Sequence, residues 1–253
     1  TASTVTKHDL SPAEVERIVK KFTENEALFR EALSSYVFNR YAAISTIGMG
    51  GQVTGVFRRD SFMNLDASGK RTEKVLFAPI STLTEISLEA EDIENMKGID
   101  AFGIEPKTVG QYAFTYLGKE KIDELNLFVF DVAPKTPPDW KKGEGRLFQG
   151  RIWVDDEDLM IVKSRGKAVP EKKQRFPTME SIRQNVDGKY WFPSHIDADD
   201  ELIFSSGQAV KIRVRMRLKD YSLGRSEVRL VGDEEIVQEP APTPSPTPAK
   251  KPL

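Results

Sequence analysis

In a chain of 253 residues with two histidines and no cysteine, any chemistry has to come from its carboxylates, its hydroxyls and those two imidazoles. The missing thiols remove disulfides, thiolate metal sites and a cysteine nucleophile, and they leave no acceptor for an N-terminal lipid thioether. His8 falls in a polar leading segment, so nucleophilic chemistry would rest on Ser194 and His195. Neighbours on a strand point to opposite faces, so these two are expected not to form a dyad, and no G-x-S-x-G elbow occurs. His195, Asp197 and Asp199 share one strand face. Same-face neighbours stand roughly 6.5 to 7 Å apart, whereas metal ligands converge to about 2 to 2.6 Å from one ion, so a metal fits poorly there. The acidic run Asp155 to Asp158 lacks the spaced ligands and the glycine of an EF-hand loop and reads as a solvated turn. Gly48, Gly50 and Gly51 lack a following G-K-[ST] and read as a β-turn rather than a phosphate loop. These residues make no catalytic set, no metal site and no cofactor site.

One charge pattern is sharper. From Lys211 to Lys219 the sequence alternates, with Lys211, Arg213, Arg215, Arg217 and Lys219 on one strand face and Ile212, Val214, Met216 and Leu218 on the other. The cationic face could be a rail for anionic lipid head groups or for a partner. Alternatively, a three-residue turn at Ser205-Ser206-Gly207 with Gly207 left-handed would set Glu201 opposite Lys211, Asp199 opposite Arg213 and Asp197 opposite Arg215. The charges would then largely cancel as exposed pairs worth under about 1 kcal/mol each.

The elements that must hold these groups follow from periodicity. Ser11-Pro12-Ala13-Glu14 combines an N-cap, a first-turn proline and a capping-box glutamate. Val15, Ile18, Val19, Phe22, Phe29 and Leu33 then form an apolar stripe, which predicts one amphipathic helix over about 12 to 34. From Tyr36 the period becomes two, with runs at 36–47, 53–64 and 70–78 separated by Gly48-Met49-Gly50-Gly51 and Asp66-Ala67-Ser68-Gly69. A short helical insertion is expected between Leu83 and Gly110, with Leu88, Ile93 and Met96 as its apolar points and Pro106 and Gly110 breaking it. Strands resume at 112–119, 125–133, 146–155, 159–168, 180–187, 190–204 and 209–222, with Asp187-Gly188 as a hairpin turn. Such alternation with almost no helix predicts a mainly β fold built on a single curved or closed antiparallel sheet. Residues 1–10 read as a flexible arm, 11–237 as the folded domain and 238–253 as a disordered Pro-rich tail, six of the chain's 15 prolines lying in the last 15 residues.

Several strands are apolar on both faces, notably Leu125 to Val132, so each side of the sheet is covered or one side lines a cavity. The candidate lining set is Phe22, Phe29, Phe57, Met63, Phe128, Phe130, Trp153, Ile161, Val214 and Met216. A net charge of −2 gives no global reason to expect nucleic acid. No apolar run approaches the roughly 20 residues of a transmembrane helix.

The run Tyr116-Leu117-Gly118-Lys119-Glu120-Lys121-Ile122-Asp123-Glu124-Leu125 is followed by Phe128-Val129-Phe130-Asp131-Val132-Ala133-Pro134-Lys135, by GRIWVDDEDLMIVKSRGK from Gly150, and by Asp187-Gly188-Lys189-Tyr190-Trp191-Phe192-Pro193. Together these resemble the outer-membrane lipoprotein-sorting proteins, the LolA-like family of the bacterial envelope, over about 110 to 220 and more loosely over 36 to 83. The resemblance implies a half-open, strongly curved antiparallel β-barrel of about eleven strands, with helices over its open side and an apolar cavity for acyl chains. It also implies a non-enzymatic binding or carrier role for lipid or lipoprotein in the periplasm after removal of a signal peptide, with envelope membrane proteins as possible partners. No arginine here aligns with the one that latches the carriers' lid. The same scaffold also suits an envelope-stress sensor or regulatory module that binds a protein through a sheet face or the Pro-rich tail. A carboxylate-only hydrolase would instead show a pair of buried carboxylates with raised pKa values in a cleft.

Overall fold

The computed structural model describes residues 5–89, 92, 104, 106–139, 146–171 and 175–224. The first helix, α1, runs Pro12–Ser34, where the capping signals placed it. The Ser11 hydroxyl accepts the Glu14 backbone N–H at 3.3 Å, and the Glu14 carboxylate accepts the Ser11 backbone N–H at 2.9 Å. The Ser11 hydroxyl also donates to that carboxylate at 2.7 Å, and this bond, followed by the backbone one, holds the exposed Glu14 carboxyl below its ordinary pKa. At about 1.5 Å per residue the helix is roughly 35 Å long.

Ten strands follow among the described residues: β1 Tyr36–Ile47, β2 Val53–Leu65, β3 Arg71–Phe77, β4 Tyr112–Ile122, β5 Leu125–Pro134, β6 Leu147–Asp155, β7 Ile161–Val169, β8 Met179–Val186, β9 Tyr190–Ile203 and β10 Ala209–Leu223. They form one antiparallel sheet in the order β3-β2-β1-β10-β9-β8-β7-β6-β5-β4, so β1 joins the last strand and the sheet ends in two different edge strands, β3 and β4. The sheet is not closed, in keeping with a half-open barrel. Its strand count is ten against the expected eleven, and residues 225–237, given to the folded domain by the sequence, lie outside the described residues.

Turn chemistry sets the registers. Asp187 and Gly188 both take positive φ, 56° and 67°, the mirror-image turn that suits hairpin twist. Gly207 is left-handed at φ 84°, and the ladder behind it pairs Lys211 with Glu201, Arg213 with Asp199 and Arg215 with Asp197, the register read from the sequence. Gly150 faces Gly166 across β6 and β7, and a Cβ on Gly166 would lie 2.4 Å from the Phe148 ring, so the glycine lets that ring lie over the strand.

Two expectations change. Within the predicted helical insertion Asp92 is helical and one turn, α2, runs Pro106–Val109, while 83–89 form neither helix nor strand and bend at Glu85 and Ile86; Ile93 and Met96 lie outside the described residues. Pro106 opens the turn of α2 instead of breaking a helix, because a first-turn proline has no N–H to leave unpaired. The leading arm, expected to be loose over 1–10, is pinned at Thr6, which exchanges both backbone hydrogen bonds with Lys119 on β4 at 2.7 and 2.9 Å. Gly118 makes this possible: at φ 137° it lies so close that a Cβ would stand 2.3 Å from the Thr6 carbonyl oxygen.

Candidate functional site on the inner face

The inner face is the one α1 covers. Its composition follows from alternation: Phe38, Arg40, Ala42 and Ile44 of β1 point inward with Val210, Ile212, Val214, Met216 and Leu218 of β10, and all of them are buried. Side chains on this face form three neighbouring apolar groups. The first lies under the N-terminal half of α1, where Ile18 and Phe22 meet Phe128, Phe130, Ile152 and Ile161 of β5, β6 and β7. The Phe22 ring sits 5.6 Å from Phe114 and 5.9 Å from Phe130. The second lies under the C-terminal half, where Phe29 and Leu33 pack on Phe38, Met63, Phe192 and Met216. The third contains Ile44, Ala198, Leu202, Val210, Ile212 and Val214. No residue of α1 takes part in it; Phe57, Phe204 and two residues of the irregular segment after β3, Ile86 and Leu88, pack against it instead.

Charges are built into this oily surface; besides Arg71 of β3, which donates to the Leu33 carbonyl at 2.6 Å and lies 5.0 Å from the centre of the Phe38 ring, two ion-pair clusters stand out. On α1, Glu26 is fully buried and accepts two hydrogen bonds from Arg183 of β8, at 2.5 and 2.9 Å. The same guanidinium donates to the Ile161 carbonyl at 3.1 Å and lies 4.3 Å from the centre of the Phe29 ring. One residue earlier, Asn25 donates to the Asp158 and Leu159 carbonyls of the β6–β7 turn. The helix is therefore held by a bidentate ion pair and an amide as well as by its apolar stripe. Between the second and third apolar groups, Arg40 of β1 and Arg59 of β2 both donate to Glu73 of β3, at 2.5 and 2.9 Å, and Ser61 adds a third donor at 2.7 Å. The Arg59 hydrogen bonds lead in holding the Glu73 carboxyl down to about 2, with Ser61 and the charge of Arg40 adding to them. Burial alone would push it the other way.

Nine of the ten residues proposed to line a cavity lie on this face. Phe22, Phe128, Phe130 and Ile161 belong to the first group and Phe29, Met63 and Met216 to the second, while Val214 is in the third and Phe57 packs against it. Phe22 and Phe29 anchor the helix rather than line free space beneath it. Trp153 is the exception. It pairs with Val129 while Ile152 pairs with Phe130, so alternation turns its indole to the outer face, among Leu127, Val129 and Val162, where its N–H donates to Glu120 at 2.7 Å.

The outer face carries the charge ladder. Arg213 and Arg215 both reach Asp199, and Arg217 reaches Asp197 at 2.6 Å, so the cations are threaded between carboxylates. Ser194 and His195 do touch, against expectation: the Ser194 hydroxyl donates to the Ile182 carbonyl at 3.1 Å and lies 2.8 Å from His195 Nδ1. A register shift between Ile182 and Arg183 bends the strand pair here and lets successive side chains approach. The serine is buried and its proton is committed to a carbonyl, so the contact is structural. Burial, then the nearby Arg217, holds the His195 imidazole below its ordinary pKa.

A carboxylate-only site calls for two buried carboxylates. Asp155 is buried, and burial, with the neighbouring Asp158 carboxylate, raises its pKa, but Asp158 is exposed and the Asp155 carboxylate accepts the Asp158 N–H of its own turn. The other buried inner-face carboxylates, Glu26 and Glu73, are salt-bridged to arginine. Among the described residues no cluster of three or more potential ligands could hold a metal ion, and no helix is long and apolar enough to cross a membrane.

No family model matches the chain, and no curated protein matches it. Solved structures with a similar strand arrangement include a LolA superfamily protein from Nitrosomonas europaea, at 15% identity over 83% of this chain and 93% of that one, with a TM-score of 0.37. Others are a domain assigned to outer membrane lipoprotein sorting from Vibrio parahaemolyticus (14% identity, 81% and 93% covered, TM-score 0.35) and a DUF1329 family protein from Desulfovibrio piger (14%, 85% and 94%, TM-score 0.38). At such scores none of these likenesses bears on function, and the side chains of this chain have to supply the reading.

Proposed function

We propose that this chain is a non-enzymatic binding or carrier protein for acyl chains of lipid or lipoprotein in the bacterial envelope, working in the periplasm. The observation that carries the reading is the third apolar group: Ile44, Ile212 and Val214 form inner-face surface that α1 does not reach. Its described cover, Ile86 and Leu88, sits on a segment joined to the sheet by only a few contacts among the described residues. Its hydrogen bonds include Thr82 N–H to the Val56 carbonyl at 2.9 Å, the Thr82 hydroxyl accepting from Val56 N–H, the Thr54–Glu85 hydrogen bond and a 3.5 Å bond from the Gln208 side-chain amide to the Glu85 carbonyl. A cover tied this lightly can lift and let an acyl chain take the place of its side chains.

Burial energy suffices without specific recognition. At about 0.8 kcal/mol per methylene, ten methylenes would contribute on the order of 8 kcal/mol before association costs. Affinity should rise with chain length. Native mass spectrometry of protein purified from a bacterial envelope tests this directly. Bound lipid that is lost in Phe57→Ser and in Val214→Asp, both still folded by circular dichroism, is the expected result. A wild-type protein that neither carries lipid nor accepts added fatty acid would sink the reading.

A further inference from the structure

Two neighbouring turns at one end of the sheet differ chemically from the turns at the other. At one end stand the turns Asp66–Lys70, Asp123–Glu124, Asp156–Asp158 and Asp187–Lys189, every one of them with at least one carboxylate. At the other end the β1–β2 and β9–β10 turns lie side by side, because β1 and β10 are paired up to Ile47 and Lys211. There Tyr41 to Phe57 and Leu202 to Val210 contain no Asp, Glu, Lys or Arg at all, in a chain whose charged fraction is 30%. These uncharged turns hold apolar side chains out in water. Met49 is fully exposed at 103%, Ile203 is 60% exposed and Val53 51%. The flanking polar groups are the neutral Gln52, Ser205, Ser206 and Gln208; described charges at the same end include Glu85, which hydrogen-bonds Thr54 at 2.5 Å, Asp200, which accepts the Thr178 N–H at 2.7 Å, the Lys211–Glu201 pair of the ladder, and Glu171 and Arg175 of the β7–β8 connection. The same end holds the third apolar group, where Leu202, Val210 and Ile212 lead directly into the turns.

We infer that these two uncharged turns form a docking rim for the interface of a lipid bilayer, with Met49, Val53 and Ile203 entering among the head groups and acyl ends. The inference rests on the acyl-binding reading and supplies its route of loading, since docking would set the apolar inner surface against its source of acyl chains. A bilayer fits better than a protein partner. The exposed side chains are split between the β1–β2 hairpin, with Met49 and Val53, and the end of β9, with Ile203, and Met49 is flanked by Gly48, Gly50 and Gly51, an arrangement of scattered projections rather than of a pocket for a partner's side chain. Shallow insertion needs no groove and requires only that few ions be stripped of water. The acidic turns at the far end would be repelled by an anionic membrane surface, which favours the same orientation.

The test is co-sedimentation of the full chain with phosphatidylcholine vesicles, with and without phosphatidylglycerol. Wild type is expected to bind both, and the combined Met49→Asp and Ile203→Asp variant to bind about tenfold or more weakly. Binding should be insensitive to added salt, whereas attachment through the basic ladder would be lost in salt and would overturn the assignment. A single Met49→Trp variant gives a second readout: its tryptophan emission should shift blue on adding vesicles, and an unchanged spectrum counts against insertion. Uptake of a fluorescent fatty acid from solution keeps the two ideas apart. The double variant should retain it; a wild type that docks on vesicles but takes up no fatty acid refutes the carrier reading while the rim stands. Vesicle binding of the double variant equal to wild type refutes the rim.

Discussion

Removing Arg183 should destabilise the fold through the carboxylate it leaves behind. Glu26 has no solvent exposure, and both of its oxygens accept from the Arg183 guanidinium. Breaking a buried pair from one side costs about 3 to 5 kcal/mol, most of it the penalty of the stranded charge. The packing of the arginine over Phe29 and its bond to the Ile161 carbonyl are lost as well, so Arg183→Met should fall in the upper part of that range. The penalty of the stranded carboxyl falls on its charged form alone, so Arg183→Met should lie closest to wild type at low pH and furthest from it at neutral pH. The combined Glu26→Met and Arg183→Met variant, which strands nothing, should recover most of the loss. Urea unfolding followed by circular dichroism at several pH values between 4 and 8 measures all of this. A single-variant loss below about 1 kcal/mol, or a double variant no better than the singles, would show that the pair does not hold the helix and that the apolar stripe suffices.

The Glu73 carboxyl, held at about 2 against an ordinary 4.5, corresponds to about 3 kcal/mol at neutral pH. That contribution should be present above about 4.5 and fade as pH falls through about 2, and Glu73→Gln should flatten the acid limb of the stability curve measured in urea. Ser11→Ala should cost about 1 kcal/mol by loss of the capping box, read as a lower urea midpoint with an unchanged slope. Gly118→Ala cannot keep Thr6 in place, so amide exchange at Thr6 and Lys119 should speed up by at least an order of magnitude while core amides stay protected; unchanged protection would show that the arm does not depend on that close approach.

Local patterns were the legible part of this fold. The Ser11–Glu14 box fixed the start of α1, and the distance from Gly207 to the two charged runs fixed the β9–β10 register residue by residue, because turn geometry and alternation act over a few positions. Signals of the inner-face charges also stood in the sequence. Glu26 occupies the stripe Ile18, Phe22, Phe29, Leu33, and Arg40 sits in the inward parity of β1 between Phe38 and Ala42. Their partners did not, since Arg183 lies 157 residues from Glu26 and Glu73 is 33 from Arg40, separations that only tertiary pairing brings together. The face of Trp153 was misread for a related reason: an apolar run on both faces of β5 leaves its neighbours' parity open until the pairing of Val129 with Trp153 is known.

A closed barrel fixes its bore with a hoop of hydrogen bonds, and this sheet has none because β3 and β4 never meet. The helix α1 acts instead as a strut, standing on β5 to β7 with one half and on β1, β9 and β10 with the other, and bolted near its middle by Glu26 and Arg183. The spacing of the walls is thereby set by a crossbar whose fastening is apolar along its length and ionic near its middle. Loosening that bolt would ease the walls apart along the strut, whereas the third apolar group, beyond it, does not depend on the strut.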